Sequence, residues 1–237
     1  MTREEEFMLS LYENEIEEVY KEQKKNRDEL LQDIALIMLT YTILDNVMNM
    51  TSKERNKEYA KLSTIIINMT RGQAKTQNKV IKDILDNTVK KTCDFYNYNA
   101  KQKDVKKVID KSFKGKHFSK RVWENEQEVA KKLHKEIDRF LNGKINVNKI
   151  KKEIEKTFNT NVYSAKRLVE TEVNRCSNEA FTRFCEETGV KKLRYNATLD
   201  NRTCDDCSKY DGNVYDFGKE IELPRHPLCR CFYTIEE

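Results

Sequence analysis

Apolar residues recur along most of this chain at three- and four-residue intervals, set in a lysine- and glutamate-rich background with few breakers. Phe7, Leu11, Ile16, Val19 and Leu30 punctuate a charged stretch over 3–30 that reads as helical. Over 30–50, Leu30, Ile34, Ile37, Leu44, Val47 and Met48 fall near helical spacing and predict the most apolar helix. A third helix is expected from about Ser52, with Glu54 and Arg55 in its first turn, to Met69, where Arg71-Gly72 marks a break. Helical character resumes over 75–93 and 101–111. The run "SFKGKHFSKRVW" (112–123) reads as a basic loop entering a helix capped by Ser119. That helix buries Val122, Val129, Leu133, Ile137 and Leu141 and stops at Asn142-Gly143. A short helix over 147–158 follows. The clearest one spans 162–188, with Leu168, Val169, Val173, Cys176, Ala180 and Phe181 in its stripe and Gly189 at its end.

After Gly189 the period changes from helical to alternating. Leu193, Tyr195, Ala197 and Leu199 alternate with polar residues, and "NVYDF" and "CFYTI" are two further short strand candidates. The expected fold is therefore mainly α: an extended helical body with a small C-terminal β-rich module. The expected division is a helical N-terminal region (1–115), a second helical part (116–189) and the β-rich module (190–237).

Composition supports helices with wide solvated faces, since charged residues make up 36% of the 237 and glycine and proline number only six and two. The net charge of +5 says little, but its distribution says more. Seven glutamates crowd the first twenty residues, whereas 101–152 holds 17 Lys/Arg against 7 Asp/Glu. Such a stretch suits a solvated helix surface or contact with nucleic acid or an acidic partner. The apolar run "IALIMLTYTIL" (34–44) falls well short of the roughly 20 residues that span a bilayer. It reads as a buried helix or a surface for another protein. No leader peptide is expected at the acidic N-terminus, so the cysteines are read as belonging to a reducing compartment.

Four of seven cysteines lie in the last 34 positions, as "TCDDC" (203–207) and "HPLCRC" (226–231). Two cysteines separated by two residues on a turn can share one zinc ion, and Cys204 and Cys207 have that spacing. Cys229 and Cys231 point the same way on an extended strand, and His226 lies three residues earlier. Five candidates thus compete for four places, with Cys204, Cys207 and Cys229 favoured and either His226 or Cys231 as the fourth. A surplus of ligands favours a closed, structural site over a catalytic one, which would keep an open position beside a general base. A disulfide or free thiols are the alternatives. Cys176 and Cys185, on or beside the helical stripe, read as buried thiols behaving as small hydrophobes.

In combination, "RLVETEVNR" (167–175), "LDNRTCDDCSKYDGNVYDF" (199–217) and "PRHPLCRC" (224–231) resemble the Mu F-like phage head morphogenesis, or minor capsid, family, over roughly 120–237. By position the resemblance carries over Arg167, Thr171 and Glu172 on the helix, then Asp200, Thr203, Cys204, Cys207, Asp211, Gly212, His226, Pro227, Cys229 and Cys231 in the tail. It implies a protein of a tailed phage or prophage, located in the capsid interior and, during assembly, in the host cytoplasm. The implied partners are portal and capsid proteins, with packaged DNA a candidate for the basic 101–152 stretch and no membrane span. The implied role is head assembly, DNA packaging or delivery; from the cysteine and histidine spacing structural zinc is the expected cofactor, and no enzymatic activity is expected. Arg167, Thr171 and Arg175 share one helix face, either a solvated stripe or the seat of the tail module, with Glu172 or Arg167 bonding the loop around Asp200. The competing functions are a metal-dependent hydrolase and a zinc-ribbon nucleic-acid-binding module. The absence of a His-Glu-x-x-His pattern or a phosphate-cradling glycine loop weighs against the hydrolase.

Overall fold

With no proline before Pro224 and few glycines, little in the first 190 residues interrupts helical hydrogen bonding. The computed structural model describes residues 2–13, 16–198 and 204–236. Among them the helices are α1 (Arg3–Ser10), α2 (Glu17–Thr40), α3 (Ser52–Phe95), α4 (Gln102–Asp110), α5 (Phe118–Leu141), α6 (Val147–Thr188) and the short α7 (Asp205–Ser208). The strands are β1 (Ile43–Leu44), β2 (Val47–Met48), β3 (Lys192–Asn196), β4 (Val214–Asp216) and β5 (Phe232–Glu236). The fold is mainly α with a small C-terminal β module.

Several boundaries differ from the periodicity. The charged stretch over 3–30 is two helices, not one: α1 opens on a capping box in which Thr2 and Glu5 satisfy each other's backbone N–H. It ends before the buried Leu11, and α2 begins after the buried Ile16. The apolar stretch 30–50 leaves helix after Thr40 and turns back as the β1–β2 hairpin, with Asp45 and Asn46 at φ 50° and 62°. A type I′ hairpin turn requires left-handed residues at both turn positions, and Asp and Asn tolerate them. The run 34–44 is thus neither wholly buried nor a single helix, since Leu36, Leu39, Ile43 and Leu44 are exposed. No described helix is long and apolar enough to cross a membrane. Ser119 lies within α5, which starts one residue earlier at Phe118. The expected helices over 147–158 and 162–188 are one helix, α6.

Gly72 does not break α3. An interior glycine costs a helix only about 1 kcal/mol against alanine, which the packing of a 44-residue helix outweighs. A Cβ there would meet Glu22 Oε1 at 3.2 Å, so the missing side chain leaves room for a carboxylate from α2.

The chain forms two compact units, neither contiguous in sequence, because α3 and α6 each contribute to both. The linear division instead cuts at 115/116 and 189/190. One unit comprises 16–80 and 119–165. Its core runs from Leu30, Ile34 and Ile37 on α2 through Leu62 and Ile66 on α3 to Leu133, Ile137 and Phe140 on α5 and Ile150 and Ile154 on α6. The hairpin is held into this unit by Val147 N–H, which donates to Asn46 O at 2.9 Å. The same unit buries a polar patch in which Glu126 accepts hydrogen bonds from the side-chain amides of Gln77 and Asn161. Burial pushes the Glu126 carboxyl up to about 7, against those two donors and with help from the charge of Glu22.

The other unit comprises 1–15, 81–118 and 166–237. Here β3 is the central strand of an antiparallel sheet of order β4-β3-β5, pairing Leu193 with Tyr215 and Ile235, and Tyr195 with Tyr233. Leu193, Tyr195 and Tyr233 turn inward to a core shared with Phe181 and Cys185 of α6. Phe7 of α1 stacks on Phe95 at 4.1 Å.

Gly143, which ends the turn after α5, has φ +65°, and a Cβ there would lie 2.7 Å from Met48 O. Gly143→Ala is expected to destabilise the protein by about 1–3 kcal/mol through left-handed strain plus this collision. Chemical denaturation would measure it, and a wild-type midpoint would show that the turn can relax.

Candidate metal centre

The C-x-x-C segment forms the single turn α7, with Cys204 as its N-cap. Cys204 Sγ accepts from Cys207 N–H at 3.4 Å, and the turn brings both sulfurs to one side. Across from it, "HPLCRC" folds over on itself: Cys229 N–H donates to His226 O, and Leu228 between them takes φ 63°. Arg225 fastens the two segments, donating to Asp206 O at 2.8 Å, pairing with its carboxylate at 2.9 Å and lying over the Tyr210 ring.

Five ligand atoms converge. Cys204 Sγ and Cys207 Sγ each lie 3.2 Å from His226 Nε2. Two triads result, Cys204–Cys207–His226 and Cys207–Cys229–Cys231, each with its ligand atoms within 4.8 Å of one another and with Cys207 in common. The His226 Nδ1–H donates to Pro227 O at 2.8 Å, which leaves the Nε2 lone pair facing the sulfurs. A tetrahedral zinc with bonds of about 2.3 Å to sulfur and about 2.0–2.1 Å to nitrogen sets ligand atoms about 3.5–3.8 Å apart. The donor set fits such an ion. None of the seven cysteines is in a disulfide.

Electrostatics favour thiolate at Cys229 and Cys204. A hydrogen bond from the Cys231 thiol, aided by the backbone N–H groups of Cys231 and Arg225, holds the Cys229 thiol down to about 5 against the cost of burial. That bond raises Cys231 in turn. Burial pushes Cys207 up to about 11. Burial also works against the Cys204 thiolate, but the N–H of Cys207 and the nearby His226 outweigh it and lower the thiol. Tyr195 is fully buried with its hydroxyl beside Cys207 and Cys231, and burial, followed by these thiols, raises it.

The module seats on α6 through one residue of the expected face and others that helical spacing alone did not single out. Thr171 is one of the expected residues: its Oγ1 accepts from Leu228 N–H at 3.0 Å while donating to Arg167 O. The others are Asn174 and Asn178, whose side-chain amides both donate to Cys231 O, at 2.9 and 3.2 Å. Glu170 pairs with Arg230 at 3.2 Å, and Arg230 lies over the Tyr12 ring. The spacing 170, 171, 174, 178 is a helix face and was open to inspection, but asparagines on an apolar stripe carry no sign of their partner. Arg167 is exposed, and among the described residues no side-chain hydrogen bond or ion pair joins it to the module. Glu172 is fully buried and pairs at 2.6 Å with Arg175, which donates onward to the Val108 and Ile109 carbonyls at the end of α4. This pair therefore holds α4 by its C-terminal carbonyls, where a cation also meets the helix dipole favourably. Asp211 accepts from Ala197 N–H at 2.8 Å, and Gly212, at φ 76°, donates to Tyr195 O in the turn before β4. Asp200 and Thr203 lie outside the described residues.

A helical domain closed by a small cysteine- and histidine-bearing β module is thus the class defined by fold and site. Residues 124–234, from α5 to β5, match the family described as phage Mu protein F like protein. The match covers a little under half the chain and supports a relationship to Mu F-like phage head morphogenesis proteins. No curated protein and no solved structure matches the chain.

Asn174→Ala is expected to cost about 0.5–1.5 kcal/mol, because it removes one of the two donors to the buried Cys231 O, whereas Arg167→Ala should stay within about 0.5 kcal/mol. Denaturant midpoints of the two variants test this. Equal losses would remove Asn174 from its place as an anchor.

Proposed function

We propose that the protein is a minor capsid component acting in phage head assembly, packaging or delivery, associated with the portal and closed at its C-terminal end by one structural zinc. The observation that carries the metal reading is the convergence of His226 Nε2 on Cys204 and Cys207 at 3.2 Å with Nδ1 turned away to a carbonyl. It supports Cys204, Cys207 and His226 as ligands, and Cys229, which shares a second triad with Cys207, is the proposed fourth. Cys231 then serves as donor to Cys229 and as the carbonyl that α6 grips. The ion would neutralise thiolates in a core otherwise too apolar to hold them. Four protein ligands leave no open position, which favours a structural role over hydrolysis. The protein acts in the capsid interior and, before that, in the host cytoplasm, contacting portal or capsid proteins.

Purified full-length protein should carry one zinc per chain. Cys207→Ser should lose it, while Cys231→Ser should keep it. A metal-free wild type would overturn the zinc reading, and loss of zinc in Cys231→Ser would move the fourth place from His226. Capture of the portal protein by the wild type but not by chelator-treated protein would support the association.

DNA is the proposed partner of the 101–152 stretch, although Lys107, Lys111, Arg139 and Lys151 already pair with Asp104, Glu179, Glu136 and Glu155. Binding to duplex DNA should then weaken steeply with salt as counterions are released. No binding at low salt, or binding indifferent to salt, would exclude it.

A further inference from the structure

The polar patch within the helical unit of 16–80 and 119–165 is short of hydrogen-bond donors while Glu126 is ionised. Gln73, Gln77, Glu126 and Asn161 are each at most 2% exposed, and they come from three helices, α3, α5 and α6. Glu126 Oε1 takes two donors, Gln77 Nε2 and Asn161 Nδ2, the latter at 2.9 Å, and Asn161 Nδ2 also lies 3.3 Å from Gln73 Oε1. Glu126 Oε2, Gln77 Oε1 and Asn161 Oδ1 have no partner, against a single unmatched donor in the network, Gln73 Nε2. Three acceptors thus stand against one donor. A proton on Glu126 Oε2 turns one of those acceptors into a donor, and two then stand against two.

Charge favours the same protonated form. From α3 and α6 the hydrogen-bonding neighbours of Glu126 are the neutral amides of Gln77 and Asn161, and among the described residues no ion pair reaches it. From α2 the charge that bears on it is that of a second carboxylate, Glu22, whose Oε1 occupies the space above Gly72 on α3. A carboxylate so placed has neither the counter-charge nor the full set of donors that offset desolvation, whereas the neutral acid needs neither. Water can fill a vacant bonding position, but it leaves the charge in the core.

We propose that Glu126 is a proton-operated lock on this helical unit: as the neutral acid it completes the amide network that ties α3, α5 and α6 together, and on releasing its proton to solvent it leaves that network short of donors and loosens the unit. The acid O–H donates to the side-chain oxygen of Gln77 or Asn161, whose nitrogens already bond the other carboxyl oxygen. A glutamate of the unfolded chain ionises at about 4.3, whereas burial, joined by the charge of Glu22, pushes Glu126 in the folded protein up to about 7. The contribution of the lock is therefore complete below the unfolded value, declines as the pH rises between the two values and is gone above the folded one. Within that window one proton can raise the unfolding equilibrium constant by up to about tenfold per pH unit.

Urea denaturation of the full-length wild type and of Glu126→Gln, at intervals across the neutral range, provides the test. Glutamine cannot ionise, keeps the shape of the acid and supplies an N–H where the acid has its O–H. Every other titrating group, the cysteine cluster included, is common to the two proteins, so their difference isolates Glu126. From acid to neutral pH the unfolding constant of the wild type should rise about tenfold or more relative to that of the variant, and the gap should level off above neutrality. A gap that does not grow with pH would overturn the proposal. Should Glu126→Gln not fold, the wild type decides alone through the ¹³C signals of its glutamate side-chain carboxyls. One carboxyl titrating near neutrality, apart from the rest, supports the lock, and a set that has finished titrating well below neutrality overturns it.

Discussion

Three thiols sit where a module this small would otherwise put aliphatic side chains, and the rest of the C-terminal structure depends on that placement. Cys207, Cys229 and Cys231 are as buried as Leu193 and Tyr195 beside them. As neutral thiols they serve as small hydrophobes. As thiolates they carry charge into an apolar core, and the arrangement around them is built to accept it. Backbone N–H groups point at Cys204 and Cys229, His226 faces two sulfurs, and Arg225 spans the segments that bear them. Core packing and the capacity to hold a metal ion are therefore not separable here, because the same atoms serve both.

Helix α6 is the platform on which this core closes. Its C-terminal half contributes Phe181 and Cys185 to the apolar side and Thr171, Asn174 and Asn178 to the polar side. The polar contacts reach backbone atoms of Leu228 and Cys231, so they fix the path of the ligand-bearing loop rather than any one side chain. Buried amides satisfied by a carbonyl give direction, which apolar contact alone does not. One turn of the same helix also serves α4, through Glu172 and Arg175, and the short motif read as one unit in the sequence thus divides between two neighbours.

Much of this architecture was legible beforehand. The helical periods, the alternation after Gly189 and the Cys-x-x-Cys spacing are local properties, and the α-helices, the strands β3 to β5 and the clustering of Cys204, Cys207, His226, Cys229 and Cys231 follow from them. Where local signals misled, burial had overruled them. Gly72 reads as a breaker, yet it stays helical because its missing side chain makes room for Glu22. The apolar residues beyond Thr40 continue a helical rhythm, yet Asp45 and Asn46 allow a hairpin that returns Met48 to the core.

By itself the sequence determined the mainly helical class, the change to β structure after Gly189, the likeness of 124–234 to a phage family and the identity of the five converging cysteine and histidine side chains. Each is carried by spacing along the chain, which tertiary structure does not alter. Only the tertiary structure decided which nitrogen of His226 faces the sulfurs, that Asn174 and Asn178 grip the Cys231 carbonyl, and that Glu126 is buried with no ion pair among the described residues. Those are relations between residues dozens of positions apart. A polar side chain reads alike in sequence whether it meets water, a carbonyl or another helix's amide, and only packing decides which.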